Sequence, residues 1–191
     1  VAQLEGADRI HKIGPSVRQG IWISMLLALL SMLLLPYLSN LLLWMDYESE
    51  VVRITDGYLK AVIWGFPAAY AFLAIRHSLD GLGITRPCMY LTLLGLAVNI
   101  VGNYTLIFGN FGFPKMGAVG AGWTTTIAHW VILIGALIYL QSSQRSSTIR
   151  FLSRFDWPIW SYWREILRIG IPSGLSSCLL YTSDAADDIA C

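Results

Sequence analysis

The charges of this chain are gathered into short segments, and the apolar runs between them fix the solvent in which it folds. Residues 21–45, 61–75, 87–114 and 116–144 contain no Asp, Glu, Lys or Arg, and a fifth such run begins at Ile169. Three of the first four exceed the roughly 20 residues with which a helix crosses a hydrocarbon core. The run at 61–75 has fifteen residues between Lys60 and Arg76. Both flanking side chains can snorkel to an interface, so a somewhat longer helix still spans there. Four spanning helices and the start of a fifth are expected.

Composition excludes the soluble alternatives. The 191 residues are 55% hydrophobic and 13% charged, with mean hydropathy +0.58, about half the charge of an ordinary soluble domain. A net charge of +1 offers nothing to a nucleic acid, and Cys88, Cys178 and Cys191 have neither zinc nor redox spacing. The runs are also too long and too uniformly apolar for the alternating strands of a membrane β-barrel. The expected fold class is therefore an all-α, multi-pass membrane protein, with the lipid bilayer as its first partner.

Topology follows from the basic residues. Arg9, Lys12, Arg18, Arg76, Arg86, Arg145, Arg150, Arg154, Arg164 and Arg168 fall on one set of connections, whereas only Arg53, Lys60 and Lys115 fall on the other. The positive-inside rule then puts residues 1–20, the N-terminal end of the chain, in the cytoplasm. Helices are expected near residues 21–43, 57–78, 88–109 and 118–140, the last two joined by a tight turn rich in Gly and Pro. Residues 141–158 read as a longer cytoplasmic linker. After it, Trp160, Trp163, Ile166 and Leu167 among charges suit an amphipathic segment lying at the interface.

No catalytic or metal-binding constellation emerges: the spans hold no Ser, His and Asp set, no paired carboxylates and no phosphate-binding glycine loop. The chain is not expected to be an enzyme or to hold a metal. His77 at a helix end and His129 within the fourth span read as packing or interfacial groups. Asn99 and Asn103 are more informative, being four apart and therefore on one helix face. A carboxamide turned to lipid loses the hydrogen bonds that water supplied, so the pair must face protein or a cavity. Thr124, Thr125 and Thr126 lie one turn into the following helix, which folds back antiparallel. Such a cluster suits a buried carboxylate, its proton or an alkali cation. It equally suits interhelical hydrogen bonding, worth roughly 0.6 kcal/mol per contact. Gly95, Gly102 and Gly109 recur every seven residues, and Gly117, Gly120 and Gly122 crowd the start of the next helix, permitting close packing. Pro36 and Pro67 interrupt the first two spans and are expected to bend them.

The chain opens at Val1 without a signal peptide, which is expected of a segment from within a longer protein. The string CLLYTSDAADD from Cys178 resembles a translated transposase adapter of sequencing libraries, so no function is expected of residues 178–191.

The run VNIVGNYTLIFGNFGFPKMGAVGAGWTT at residues 98–125 resembles the fifth-to-sixth helix region of the multidrug and toxic compound extrusion (MATE) family, in its NorM-like branch. VAQLEGADR and KIGPSVRQG are similar to the turn between that family's second and third helices, GYLKAVIWGFPAAY to its fourth, and ILRIGIPSGL to the opening of its seventh. The resemblance implies helices three to six of a first, N-terminal lobe over residues 1–140. A linker with its interfacial helix then fills 141–165, and the start of a C-terminal lobe 166–177. It implies a monomeric exporter of organic cations and drugs across a bacterial inner membrane in exchange for Na⁺ or H⁺, with no other cofactor and no nucleic-acid partner. The coupling-site residues carry over to Asn99, Asn103 and Thr125, while Leu180 stands where a second-lobe glutamate is expected. Within the same superfamily a lipid-linked sugar flippase is an alternative, although no Lys or Arg occurs in residues 21–45, 87–114 or 116–144 to meet a pyrophosphate. A fragment without transport activity is the other.

Overall fold

The structure, a computed structural model, describes residues 1, 6, 12–143 and 156–189. Its described elements are helical. Helix α1 (Ile13–Leu34) passes through a 3₁₀ turn (Leu35–Tyr37) into α2 (Leu38–Trp44), and α3 (Ser49–Val62) passes through a second (Ile63–Gly65) into α4 (Phe66–Asp80). Then come α5 (Arg86–Leu106), a 3₁₀ turn at Asn110–Gly112, α6 (Ala118–Ser142) and α7 (Trp160–Ile189). Four continuous stretches, Ile13–Trp44, Ser49–Asp80, Arg86–Leu106 and Ala118–Ser142, are long and apolar enough to cross a membrane.

Two of these begin earlier than the apolar runs that announce them. Helix α1 starts at Ile13 because Pro15 falls in its first turn, where a missing N–H costs nothing. It then carries Arg18 and Gln19 inside the helix. Helix α3 starts at Ser49, with Glu48 extended at its N-cap (φ −53°, ψ 133°) and Glu50 in the first turn, where a carboxylate complements the helix dipole. Residues 49–56, ahead of the expected start at 57, thus form two turns of helix. An apolar run marks depth in the bilayer, whereas the helix continues through its polar flanks. The 3₁₀ turns fall at the two prolines: Pro36 lies within the first and Pro67 opens α4 just after the second.

Residues 1–155 form one compact unit and residues 156–191 another. In the first, α6 packs against α5, α3 and α4, and α1 packs against α4. Ile13, Val17, Ala68, Ile75, Leu79 and Ala136 are among the residues of its buried cluster. The outer surface is apolar, with Leu29, Leu33, Leu41, Leu93 and Ile138 all exposed, as a surface against lipid or further apolar helices requires. In the second unit, α7 runs unbroken from Trp160 through Pro172 to Ile189. The interfacial segment and the apolar run after it are thus one helix, without a break at residue 165 or 177. Arg9, Arg145, Arg150 and Arg154, with most of the linker, lie outside the described residues.

Candidate functional site

Helices α5 and α6 form an antiparallel hairpin whose tightness the glycines dictate. Gly109 turns with φ 76°, Gly112 with φ 84° and Gly117 with φ 57°, the left-handed region that side chains disfavour. The amide of Met116 donates to the Leu106 carbonyl at 3.0 Å, and Asn110 Nδ2 donates to the Tyr104 carbonyl at 3.1 Å, closing the turn. Beyond it the helices interlock at their small residues. A methyl group added to Gly120 would lie 2.6 Å from the Leu106 oxygen, while Gly102 seats Thr124, Gly95 seats Ile132 and Gly135 seats Leu91. These pairs fix the antiparallel register.

The Asn pair expected on one face is there. Asn103 Nδ2 donates to Asn99 Oδ1 at 2.8 Å. Both residues are half-buried, yet Asn103 Oδ1 is fully enclosed and has no hydrogen-bond partner. An acceptor left this way gives up the desolvation free energy of its lone pairs, about 1–3 kcal/mol, and is suited to a proton donor or a cation.

The three threonines divide. Thr124 is buried in the α5 seam and bonds back to the Gly120 carbonyl at 2.9 Å. Thr125 bonds back to Ala121 at 3.0 Å. Thr126 leaves its own helix and donates to the Ala61 carbonyl at 2.8 Å, with Val62 O at 3.4 Å. At about 100° per residue, Thr125 lies between the stripe of α6 that meets α5 (Gly120, Thr124, Gly135) and the stripe that meets α3 (Gly122, Thr126). Asn99 and Asn103 lie beside the Gly95–Gly102 stripe on the side that, in an antiparallel right-handed pair, borders the same flank. The register sets Asn99 level with the turn of α6 that holds Thr125 and His129.

Sequence reasoning missed what α6 does to the bend in the second span. Pro67 has no N–H to give the Ile63 carbonyl four residues before it, which accepts from Phe66 in the 3₁₀ turn instead. Helix α6 supplies side-chain donors there: Thr126 to Ala61, and Trp130 Nε1 to the Trp64 carbonyl at 3.1 Å. Gly65 lets the helices close, since a methyl there would stand 3.0 Å from Thr126 Cα and 3.3 Å from His129 Nδ1. That Nδ1 is enclosed and unpartnered. The signal in the sequence was a Thr, His and Trp set at i, i+3 and i+4, too common in membrane helices to single out.

The family model MatE matches residues 1–105. The chain is 37% identical over 177 residues to the "Multidrug resistance protein PmpM" of Pseudomonas aeruginosa, a match covering 92% of this chain and 37% of that protein. It is 35% identical over 172 residues to the "Multidrug resistance protein NorM" of Vibrio cholerae, covering 90% and 38%. With the "Multidrug resistance protein MdtK" of Klebsiella pneumoniae it shares 33% identity over 177 residues, covering 92% and 39%. The chain thus spans less than two fifths of the relatives it matches. The crystal structure of the eukaryotic MATE transporter AtDTX14 superposes with TM-score 0.78 at 22% identity, over 90% of this chain and 37% of that one. That likeness carries the fold.

Proposed function

The chain belongs to the MatE family, and we propose that it forms part of the first lobe of a cation-coupled multidrug exporter in a bacterial inner membrane, its N-terminal end cytoplasmic. The observation that carries the coupling site is the Asn99–Asn103 bond with the enclosed, unpartnered Oδ1 of Asn103 beside it. A packing bond alone has no need of a second acceptor held dry. Asn99 and Asn103, with Thr125 across the flank, would orient a carboxylate from outside this chain, and help it hold Na⁺ or pass H⁺. Organic cations and drugs are the proposed substrates, in keeping with relatives that are named multidrug resistance proteins.

Exchange of this kind is linkage. Ion and substrate each bias an inward–outward equilibrium, and neither moves it further than its own difference in affinity for the two states. A site of neutral carboxamides fits this requirement, because it adjusts the affinity of a nearby carboxylate without a competing fixed charge. The test is ethidium efflux driven by an ion gradient in the full-length parent carrying N99A and N103A together. Loss of efflux with normal protein in the membrane is expected, and undiminished efflux would overturn the assignment.

A further inference from the structure

Across residues 21–45, 61–75, 87–114 and 116–144, His129 is the one side chain that ordinarily titrates between about pH 5 and 8. It stands midway along α6, one turn after Thr125, with Nδ1 enclosed against Gly65 and without a partner. An ionisable group at mid-span is a functional candidate by default. Here it also touches the bend that its neighbours Thr126 and Trp130 hold.

We propose that His129 binds a proton within the coupling region and that its protonation loosens the latch across the Ile63–Gly65 turn. This rests on the exporter reading above and adds to it a residue of this chain that responds directly to protons. In the neutral ring the Nε2–H tautomer turns a lone pair, and no hydrogen, toward the packed bend. A proton arriving from water in the flank adds an N–H at Nδ1, and this donor needs an acceptor. The neighbouring carbonyls of Ala61 and Trp64 already accept from Thr126 and Trp130. The imidazolium therefore competes with those donors for the carbonyls of the turn, and that competition favours a different bend.

The surrounding charges leave this response to His129 itself. Before the bend, α3 brings Tyr58 and the ion pair of Lys60 with Asp56 at 2.6 Å, which faces outward with the lysine largely exposed. After the bend, α4 brings Tyr70, then His77 and the pair of Arg76 and Asp80, 3.8 Å apart, near its far end. Helix α5 offers Cys88, Tyr90 and Tyr104, with Arg86 at its start, and α6 itself offers Tyr139. Among the described residues no carboxylate bonds to His129 Nδ1.

The experiment is an imidazole NMR titration of the full chain in nanodiscs, with His11 and His77 as the other two histidine signals and exchange of the Trp130 indole N–H as the readout of the latch. Over a scan from about pH 8 down to pH 5 His129 should take up a proton, and Trp130 exchange should quicken about tenfold over the same transition. H129Q should keep the fold and make the Trp130 signal independent of pH. T126S should preserve the response, because the hydroxyl remains. A His129 that does not titrate in this range, or one that titrates while Trp130 stays unmoved, overturns the proposal. Neither result depends on efflux, so a failure of the Asn assignment is told apart from a failure here.

Discussion

The hydroxyl of Thr126 donates to the carbonyl of Ala61 at 2.8 Å, joining residues 65 apart in sequence just before the 3₁₀ turn at Ile63–Gly65. T126V keeps the shape and removes the donor, leaving a buried carbonyl without its cross-helix partner. The expected loss is about 1 kcal/mol in detergent-induced unfolding of the chain, with T126S close to the parent. A valine variant as stable as the parent would show that the bond contributes nothing.

Trp130 and Thr126 hold the same turn, so their contributions should not add. Once either donor is gone, the turn can relax toward geometry in which the second is worth less. Unfolding of T126V, W130F and the double variant should therefore give a double-variant loss smaller than the sum by about 0.5 kcal/mol or more. Strict additivity would mean that the turn is held by its own backbone.

What could be read from the sequence divides along a physical line. The α5–α6 hairpin was legible nearly to the residue, because Gly109, Gly112 and Gly117 announce the turn and Pro87 the start of α5. The pairing of Asn99 with Asn103 was legible for the same reason, being local to one helix. The starts of α1 and α3 were misplaced by about two turns, since polarity reports the edge of the lipid and says little about where backbone bonding stops. The latch was invisible: its carbonyls carry no side-chain signature, and its partners meet only after α6 packs against α3.

The glycines of the hairpin should differ sharply on substitution by alanine. At Gly120 the added methyl meets backbone, the Leu106 oxygen at 2.6 Å and its carbon at 2.7 Å, neither of which can step aside without moving a helix. At Gly135 it meets the side chain of Leu91, with Cδ2 nearest, which a rotamer change can move. G120A should cost about 1–3 kcal/mol and G135A less than about 1 kcal/mol. Equal losses would mean that the seam is looser than the register implies.

Asn99 and Asn103 permit packing and coupling to be separated within one set of variants. N99A leaves the enclosed Asn103 side chain with neither its donor nor its acceptor satisfied. N103A removes the enclosed groups and frees only the Oδ1 of Asn99. The double variant leaves nothing buried unpaired. Since an orphaned buried group costs more than a bond removed whole, stability should fall most in N99A, by about 1–2 kcal/mol, less in N103A, and least in the double. Efflux by the full-length parent should follow a different order and be lost in all three, because each lacks a carboxamide to orient the ion's carboxylate. If the pair were only interhelical adhesive, efflux would track stability and the double variant would transport best of the three. Measuring unfolding and efflux on the same membranes decides between these orders.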